Sequence, residues 1–141
     1  RNHLLKGGIR PDYYCLPILK TAEDQAAIIE AALSDSGKFF LGTDSAPHAQ
    51  KHKYSCCGCA GIYTAHCAIE LYAQVFMQHN MLDRLENFAS VFGPRFYKLK
   101  ENSQSLTLVN KPWGIPKTLD FGEQNLTPFF AGETINWQIL S

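Results

Sequence analysis

Asp44 and His48 are the two side chains whose types and spacing most directly suggest chemistry in this sequence. The carboxylate directly follows a short apolar run, residues 38–43, and the imidazole lies four residues further on, across a turn that contains Pro47. A carboxylate can accept a proton, and an imidazole can hold an anion or carry a proton. In parallel α/β proteins such groups collect at the carboxyl ends of buried strands. The pair predicts a functional site at the end of a strand.

Each of these two residues also has an ordinary interpretation. A carboxylate after a buried strand is costly unless it is paired, hydrogen-bonded or bound to a metal, but the sequence Asp-Ser-Ala-Pro at residues 44–47 also favours an Asx turn. A single loop histidine such as His48 is more often a solvated surface group than a ligand, although its pairing with Asp44 favours function. From the residues alone, both alternatives stay open.

The cysteines raise the question of a metal site. The chain has five of them, three in residues 56–59 (CCGC). A structural zinc site needs cysteines spaced by about two to four residues and a second such pair elsewhere. Cys57 and Cys59 are too close together, while Cys15 and Cys67 are isolated. Adjacent cysteines cannot all pair with each other, so we expect reduced thiols in a cytoplasmic protein rather than a disulfide framework.

Backbone groups offer a further candidate. Gly58, Ala60 and Gly61 lie just before a predicted helix. Free backbone amides at such a place can bind an anion. Opposite the Asp44 and His48 pair, such amides would be a candidate anion site.

The totals limit the class of protein. The chain has 141 residues, of which 45% are hydrophobic, and its 13 basic and 13 acidic residues balance. This composition indicates a globular protein, but one too short for a complete (β/α)₈ barrel, which needs about 200 residues at minimum. A nucleic-acid partner would require a basic excess, and a membrane span would require an apolar run of about 18 residues. Neither feature is present, so we expect neither partner.

A strand–helix–strand pattern positions the first candidates. Residues 13–19 (YYCLPIL) have the length of a strand that ends near Pro17, because proline cannot donate to a ladder. A helix is predicted from Thr21 to the stop at residues 36–37, with apolar residues three and four apart. Residues 38–43 (KFFLGT) then predict a second buried strand. Short links between these elements predict a βαβ unit with parallel strands.

The remaining elements follow a long loop, residues 44–64, of the kind that usually carries function. Two further helices are predicted over residues 64–78 and 81–91, the second ended by the pair Gly93-Pro94. Beyond them, residues 106–109, 129–130 and 134–140 are predicted as short strands or extended pieces.

Four motifs together resemble the dihydroorotase family. They are YCLPILK at residues 14–20, FLGTDSAPH at 40–48, CGCAG at 57–61 and FAGET at 130–134. The similarity is to the bacterial-type monofunctional form within the amidohydrolase superfamily. It extends over the whole chain and preserves the spacing between the motifs. The GTDSAPH block is the most specific of the four.

The resemblance implies an α/β fold, namely the C-terminal part of a metal-dependent (β/α)₈ TIM barrel. Residues 1–98 would supply about strands seven and eight with their helices, and residues 99–141 would form a C-terminal extension packing on the barrel. The implied activity is the reversible, zinc-dependent cyclisation of N-carbamoyl-L-aspartate to L-dihydroorotate in pyrimidine biosynthesis. The implied partners are this small-molecule substrate, the N-terminal part of the same barrel and, when complete, a second copy in a homodimer.

The resemblance also assigns roles to individual residues. Asp44 would be a ligand of one of two zinc ions and the general acid/base that moves a proton between the bridging hydroxide and the ring amide. His48 would hold the substrate carboxylate. Leu16 and Ala60 would contact the substrate, largely through backbone groups.

The rest of the implied metal centre is not in this sequence. The family's His-x-His pair, its metal-bridging carboxylated lysine and two further histidines would all lie upstream of Arg1, and no His-x-His occurs here. We therefore expect this chain alone to be inactive, since catalytic zinc needs about three protein ligands. The alternative is a non-catalytic, dihydroorotase-like fragment that acts as a structural or association module. The complete GTDSAPH block argues against a different cyclic amidohydrolase.

Overall fold

The computed structural model describes residues 3–18 and 20–140. Within them the α-helices are α1 (Ala22–Leu33), α2 (Gln50–Lys53), α3 (Ala68–Gln78) and α4 (Phe92–Tyr97). Single 3₁₀ turns cover His3–Leu5, Pro11–Tyr13, Ala65–Cys67 and Leu82–Arg84, and a π-helical turn covers Asn87–Val91. The strands are β1 (Leu108–Gly114), β2 (Leu119–Phe121), β3 (Gln124–Leu126) and β4 (Thr134–Ile139).

The chain divides into two compact units that alternate along the sequence. The first contains the N-terminal segment through Ala22, Thr43–His66 and Gly114–Thr134. The second contains Glu23–Gly42, Cys67–Trp113 and the segment from Ile135 onwards. The boundary predicted at residue 98 separates the barrel part from a C-terminal extension. These compact units do not test it, so it stays a prediction. All four candidate site residues belong to the first unit.

The first unit is built from short elements and loops. Strands β2 and β3 form an antiparallel hairpin in which Leu119 faces Leu126 and Phe121 faces Gln124. Gly122 turns the chain between them with a φ of +64°, a conformation that glycine adopts without strain. The buried apolar residues of the first unit include Tyr13, Ala49, Ile115, Leu126 and Pro128.

The second unit has a hydrophobic core between helices and a two-stranded sheet of β1 and β4. Ala73 and Phe76 are fully buried and lie three residues apart on α3, the spacing that places two side chains on one helix face. Around them pack Leu33, Leu85, Phe88 and Trp137. The indole of Trp113 on β1 donates a hydrogen bond to the Trp137 carbonyl on β4 at 2.7 Å.

The helix predictions for residues 21–35 and 64–78 are confirmed by α1 and by the 3₁₀ turn that leads into α3. The prediction that Gly93-Pro94 ends the third helix is wrong, because the chain continues into α4. Pro94 occupies the first turn of that helix, where a backbone N–H has no partner within the helix in any case. The π-helical turn directly before α4 loosens the preceding hydrogen-bond pattern.

The two strands predicted around α1 are wrong as strands. Residues 13–18 form a 3₁₀ turn and an irregular segment, in which Leu16 is 64% and Ile18 57% exposed; Leu19 lies outside the described residues. Residues 38–43 have no ladder partner in the described chain, and the Leu41 amide instead donates to the Phe88 carbonyl at 3.0 Å. A strand exists only through its neighbours, so the βαβ pairing is not found here.

Of the later extended pieces, residues 134–140 are confirmed as a strand by β4. The piece predicted at 106–109 is displaced, since β1 begins at Leu108. Residues 129–130 lie in a turn, with Phe130 at a φ of +57°. In the described part of the chain, no helix has the length and apolar character needed to cross a membrane.

Candidate functional site

Asp44 is exposed and has a φ of +44°. Aspartate is one of the few residues that tolerate this left-handed conformation. The prediction that it follows a buried strand is wrong. Within residues 3–18 and 20–140 its carboxylate makes no hydrogen bond or ion pair. The group is therefore free to accept a proton or to bind a ligand from outside this chain.

The next residue, Ser45, joins the backbone next to Asp44 to the start of a helical segment. Its Oγ accepts hydrogen bonds from the amides of Thr64 at 2.9 Å and Ala65 at 3.0 Å. The first amides of a helix have no partner inside the helix, so a serine oxygen at this place acts as a cap. The cap joins two segments that are far apart in sequence and fixes the backbone next to Asp44.

We predict that Ser45→Ala lowers the free energy of unfolding by about 1–2 kcal/mol, the usual effect of losing a capping oxygen. The measurement is urea unfolding of the whole protein that contains this chain. Ser34→Ala is the matched control, because the exposed Ser34 hydroxyl only donates to the Ala31 carbonyl within its own helix turn. Equal effects of the two substitutions would contradict the capping role of Ser45.

Further hydrogen bonds hold residues 43–48 alongside residues 60–65. The Ala46 amide donates to the Ile62 carbonyl at 3.0 Å. The Thr64 hydroxyl donates to the Thr43 carbonyl at 3.5 Å. The two segments thus run side by side, with Asp44 and His48 on one and Ala60 on the other.

His48 and Ala60 are brought into direct contact. The His48 Nε2 lies 3.2 Å from the Ala60 carbonyl oxygen. Because a carbonyl can only accept, Nε2 must carry the hydrogen in this bond. The half-buried ring then has Nδ1 left, which accepts in the neutral form and donates in the imidazolium form. A protonated His48 could therefore hold both Ala60 and an anion.

Gly61 makes the close approach of these segments possible. Its φ is +143°, and a Cβ at this position would lie 2.7 Å from both His48 Nε2 and Ala46 Cβ. Real Cβ atoms do not approach other atoms so closely, so only glycine fits without displacing the imidazole. Its amide donates to the Tyr14 carbonyl at 2.9 Å.

The expected anion site of backbone amides is wrong for its two glycines. The Gly61 amide is taken by Tyr14, and the Gly58 amide donates to the carbonyl and hydroxyl of Ser55 at 3.1 and 3.2 Å. Leu16, two residues after Tyr14, is joined to Asp44, His48 or Ala60 by no hydrogen bond in the described residues. It is linked to them through Tyr14, whose carbonyl accepts hydrogen bonds from the Gly61 amide and from Lys53 Nζ.

Lys53, on α2, was not indicated by the sequence, because a lysine on a short polar helix is normally solvated. In the structure it is 4% exposed. Its Nζ donates to the carbonyls of Cys59 at 2.7 Å, Gly61 at 2.8 Å and Tyr14 at 3.0 Å. Burial lowers the pKa of Lys53, and the nearby Asp12 carboxylate acts in the opposite direction.

The residues of this chain do not by themselves fit a zinc ion. Among residues 3–18 and 20–140, no three His, Cys, Asp or Glu side chains lie together in a way that could hold a metal. Catalytic zinc needs about three protein ligands, and Asp44 offers one. Cys15, Cys56 and Cys57 are exposed free thiols. Burial raises the pKa of the Cys67 thiol to about 12, which keeps it protonated.

The chain is similar over nearly its whole length to curated dihydroorotases. It is 60% identical over 139 residues to the enzyme of Teredinibacter turnerae and 59% identical over 139 residues to that of Shewanella baltica, covering 99% of this chain and 40% of each relative. It is 58% identical over 141 residues to the dihydroorotase of Coxiella burnetii, again 40% of that protein. No family model matches the chain.

Solved structures agree with these relatives. The Saccharomyces cerevisiae dihydroorotase, crystallised in complex with 5-fluoroorotic acid, matches with a TM-score of 0.85 and 37% identity over 93% of this chain and 38% of that one. The Campylobacter jejuni dihydroorotase matches with a TM-score of 0.85 and 30% identity over 99% of this chain and 40% of that one.

These matches define the fold as the C-terminal part of an α/β TIM-barrel enzyme, which confirms the predicted fold class. In sequence and fold, the chain corresponds to the C-terminal part of the dihydroorotases. It spans about 40% of the length of the curated relatives it matches.

Proposed function

We propose that the whole protein containing this chain is a dihydroorotase, which interconverts L-dihydroorotate and N-carbamoyl-L-aspartate in pyrimidine biosynthesis. The identity of about 60% to a curated dihydroorotase supports this. One structural observation carries the chain's own part in it. The exposed Asp44 carboxylate, which has no partner among the described residues, lies on the segment that is hydrogen-bonded through His48 to Ala60. This arrangement suits a base placed close to a binding group for an anion.

Opening of a cyclic amide requires that water add to the carbonyl carbon and that the ring nitrogen gain a proton as the C–N bond breaks. A carboxylate near both positions can accept the proton from the water and give it to the nitrogen. We propose this role for Asp44. Its exposed position, next to a backbone that is fixed by the Ser45 cap, supports the proposal, because a proton carrier must be accessible and held in place.

The substrate is an anion, and we propose that His48 holds its carboxylate. Since Nε2 donates to the Ala60 carbonyl, the Nδ1–H of an imidazolium ring is a second, charge-assisted donor for the substrate carboxylate. Backbone groups of Leu16 and Ala60 would contact the same ligand. The Tyr14–Gly61 hydrogen bond, which joins the two loops carrying these residues, supports this proposal.

We predict that His48→Ala raises KM for L-dihydroorotate by about tenfold or more and changes kcat much less, since a charge-assisted hydrogen bond contributes about 1.5–3 kcal/mol. The measurement is steady-state kinetics of the whole protein. The control is His52→Ala, an exposed histidine on α2. An unchanged KM in His48→Ala would remove His48 from the binding site.

Zinc is the proposed cofactor of the whole protein, with Asp44 as the ligand contributed by this chain and the others contributed by the rest of the protein. We also propose that residues 1–98 complete the barrel and that residues 99–141 pack on it as an extension. The remaining part of the same barrel is then the main partner of this chain, and the complete enzyme would form a homodimer.

The test is the turnover of L-dihydroorotate by the purified, zinc-loaded whole protein. Formation of N-carbamoyl-L-aspartate, and its cyclisation in the reverse direction, would support the proposal. A folded, zinc-loaded protein without turnover in either direction would refute it. That result would favour the alternative, a non-catalytic module that only associates with other subunits.

A further inference from the structure

Lys53 is a buried cation whose three N–H donors are all directed at backbone carbonyls. It donates to Tyr14, Cys59 and Gly61 over distances of 2.7–3.0 Å. In the described residues no carboxylate forms an ion pair with it. The ring of Tyr14, 5.8 Å from Nζ, adds a weaker cation–π contact.

A buried charge is costly unless its hydrogen-bonding groups are satisfied. Lys53 meets this condition only while the three carbonyls converge on one point, so the arrangement imposes a definite geometry on the backbone. The ammonium is also the only kind of side-chain group with three donors that can rotate to fit such a set.

The three carbonyls lie next to the proposed substrate contacts. Cys59 and Gly61 flank Ala60 on both sides, and Tyr14 precedes Leu16 by two residues. The same two loops are joined by the hydrogen bond from the Gly61 amide to the Tyr14 carbonyl at 2.9 Å. Lys53 therefore connects both loops whose backbone groups are proposed to contact the substrate.

We propose that Lys53 is a positioning residue for the dihydroorotate site, which fixes the loops of Leu16 and Ala60 in the geometry that binds substrate. This inference rests on the proposed function. In this proposal the buried lysine does not contact the substrate, but it determines how tightly the site binds it.

The first test is Lys53→Met in the whole protein, with Lys51→Met as the matched control. Methionine keeps the length and burial of the side chain but donates no hydrogen bond, and Lys51 is exposed on the same helix. We expect KM for L-dihydroorotate to rise by at least about tenfold, because loops that are no longer held in the binding geometry must be ordered when the substrate binds. We expect kcat to stay within about threefold, as for a loss of uniform binding. A folded Lys53→Met protein with unchanged KM would overturn the proposal.

The second test is chemical rescue of Lys53→Ala. Propylammonium is the fragment removed by this substitution, and 1-propanol is its uncharged counterpart. We expect propylammonium, but not propanol, to lower the raised KM or, if the variant does not fold, to restore soluble folded protein. Absence of any propylammonium effect on either property would overturn the proposal.

Hydrogen exchange separates this proposal from the function on which it rests. We expect the Gly61 amide to exchange faster in Lys53→Met than in Lys51→Met, whether or not the protein turns over dihydroorotate. If the unsubstituted protein is inactive, the proposed function fails. If the Gly61 amide exchanges equally in both variants, the positioning role of Lys53 fails.

Discussion

Asp44→Asn is expected to lower kcat of the whole protein by about 10²- to 10⁴-fold, the usual contribution of a positioned general acid or base. Asparagine has nearly the same size and also tolerates the left-handed backbone, here a φ of +44°. The substitution therefore removes the proton-accepting charge and leaves the backbone conformation unchanged. Steady-state kinetics give kcat, and thermal unfolding checks that the fold is kept.

Asp35→Asn is the matched control for this experiment. Asp35 is also exposed and also has a positive φ, +56°, but it accepts a hydrogen bond from Asn87 and lies on a different loop. We expect kcat to be unchanged in this variant. Activity of Asp44→Asn within about tenfold of the unsubstituted protein would exclude Asp44 as the base.

Gly61→Ala is expected to have the second large effect. A Cβ at this position would lie 2.7 Å from His48 Nε2 and Ala46 Cβ, and the φ of +143° is strained for any residue with a side chain. Backbone strain and the clash together should lower the free energy of unfolding by about 3 kcal/mol or more. Because the displaced group is the imidazole of His48, KM for dihydroorotate should rise as well. Urea unfolding and kinetics measure the two effects.

Gly8→Ala separates the clash from the backbone strain. Gly8 has a comparable φ of +121°, but a Cβ there would meet nothing within 4 Å. We expect this control to lose only the strain contribution, about 1–3 kcal/mol, with unchanged KM. If Gly8→Ala and Gly61→Ala behaved alike in both measurements, the close packing of Gly61 against His48 would have no functional importance.

The sequence predicted the helices of this chain better than its strands. Helix α1 follows from local signals, since acidic residues in its first turn and apolar residues three and four apart act within the helix itself. Residues 38–43 have a composition typical of a strand, yet in the described chain they pair with no other strand, and the Leu41 amide donates to the Phe88 carbonyl instead. A strand depends on distant neighbours, and composition alone does not supply them.

The candidate site was predicted only in part, because some of its contacts also depend on residues that are distant in sequence. Asp44 and His48 were indicated by their residue types. The hydrogen bond between His48 and Ala60 joins two of the motifs on which the family resemblance was based. The strand predicted directly before Asp44 does not form, so its placement at the end of a strand was wrong. Lys53 was missed entirely, since its importance lies in three backbone carbonyls that no residue type reveals.

The cap at Ser45 is another contact that residue types alone do not reveal. Serine before alanine and proline indicates a turn, but its acceptance of the Thr64 and Ala65 amides depends on a segment about twenty residues further on. The loops from Thr43 to His66 are thus held in part by hydrogen bonds between side chains and backbone groups. Such loops are suited to carry function on a fixed framework.

The most direct test of the central claim is a solved structure of the whole protein with L-dihydroorotate bound. We predict that the substrate carboxylate lies within hydrogen-bond distance of His48 and of backbone groups of Leu16 and Ala60, with the Asp44 carboxylate facing the ring amide. A substrate bound with all four of these residues outside contact distance would contradict the proposal that this chain forms one wall of the active site.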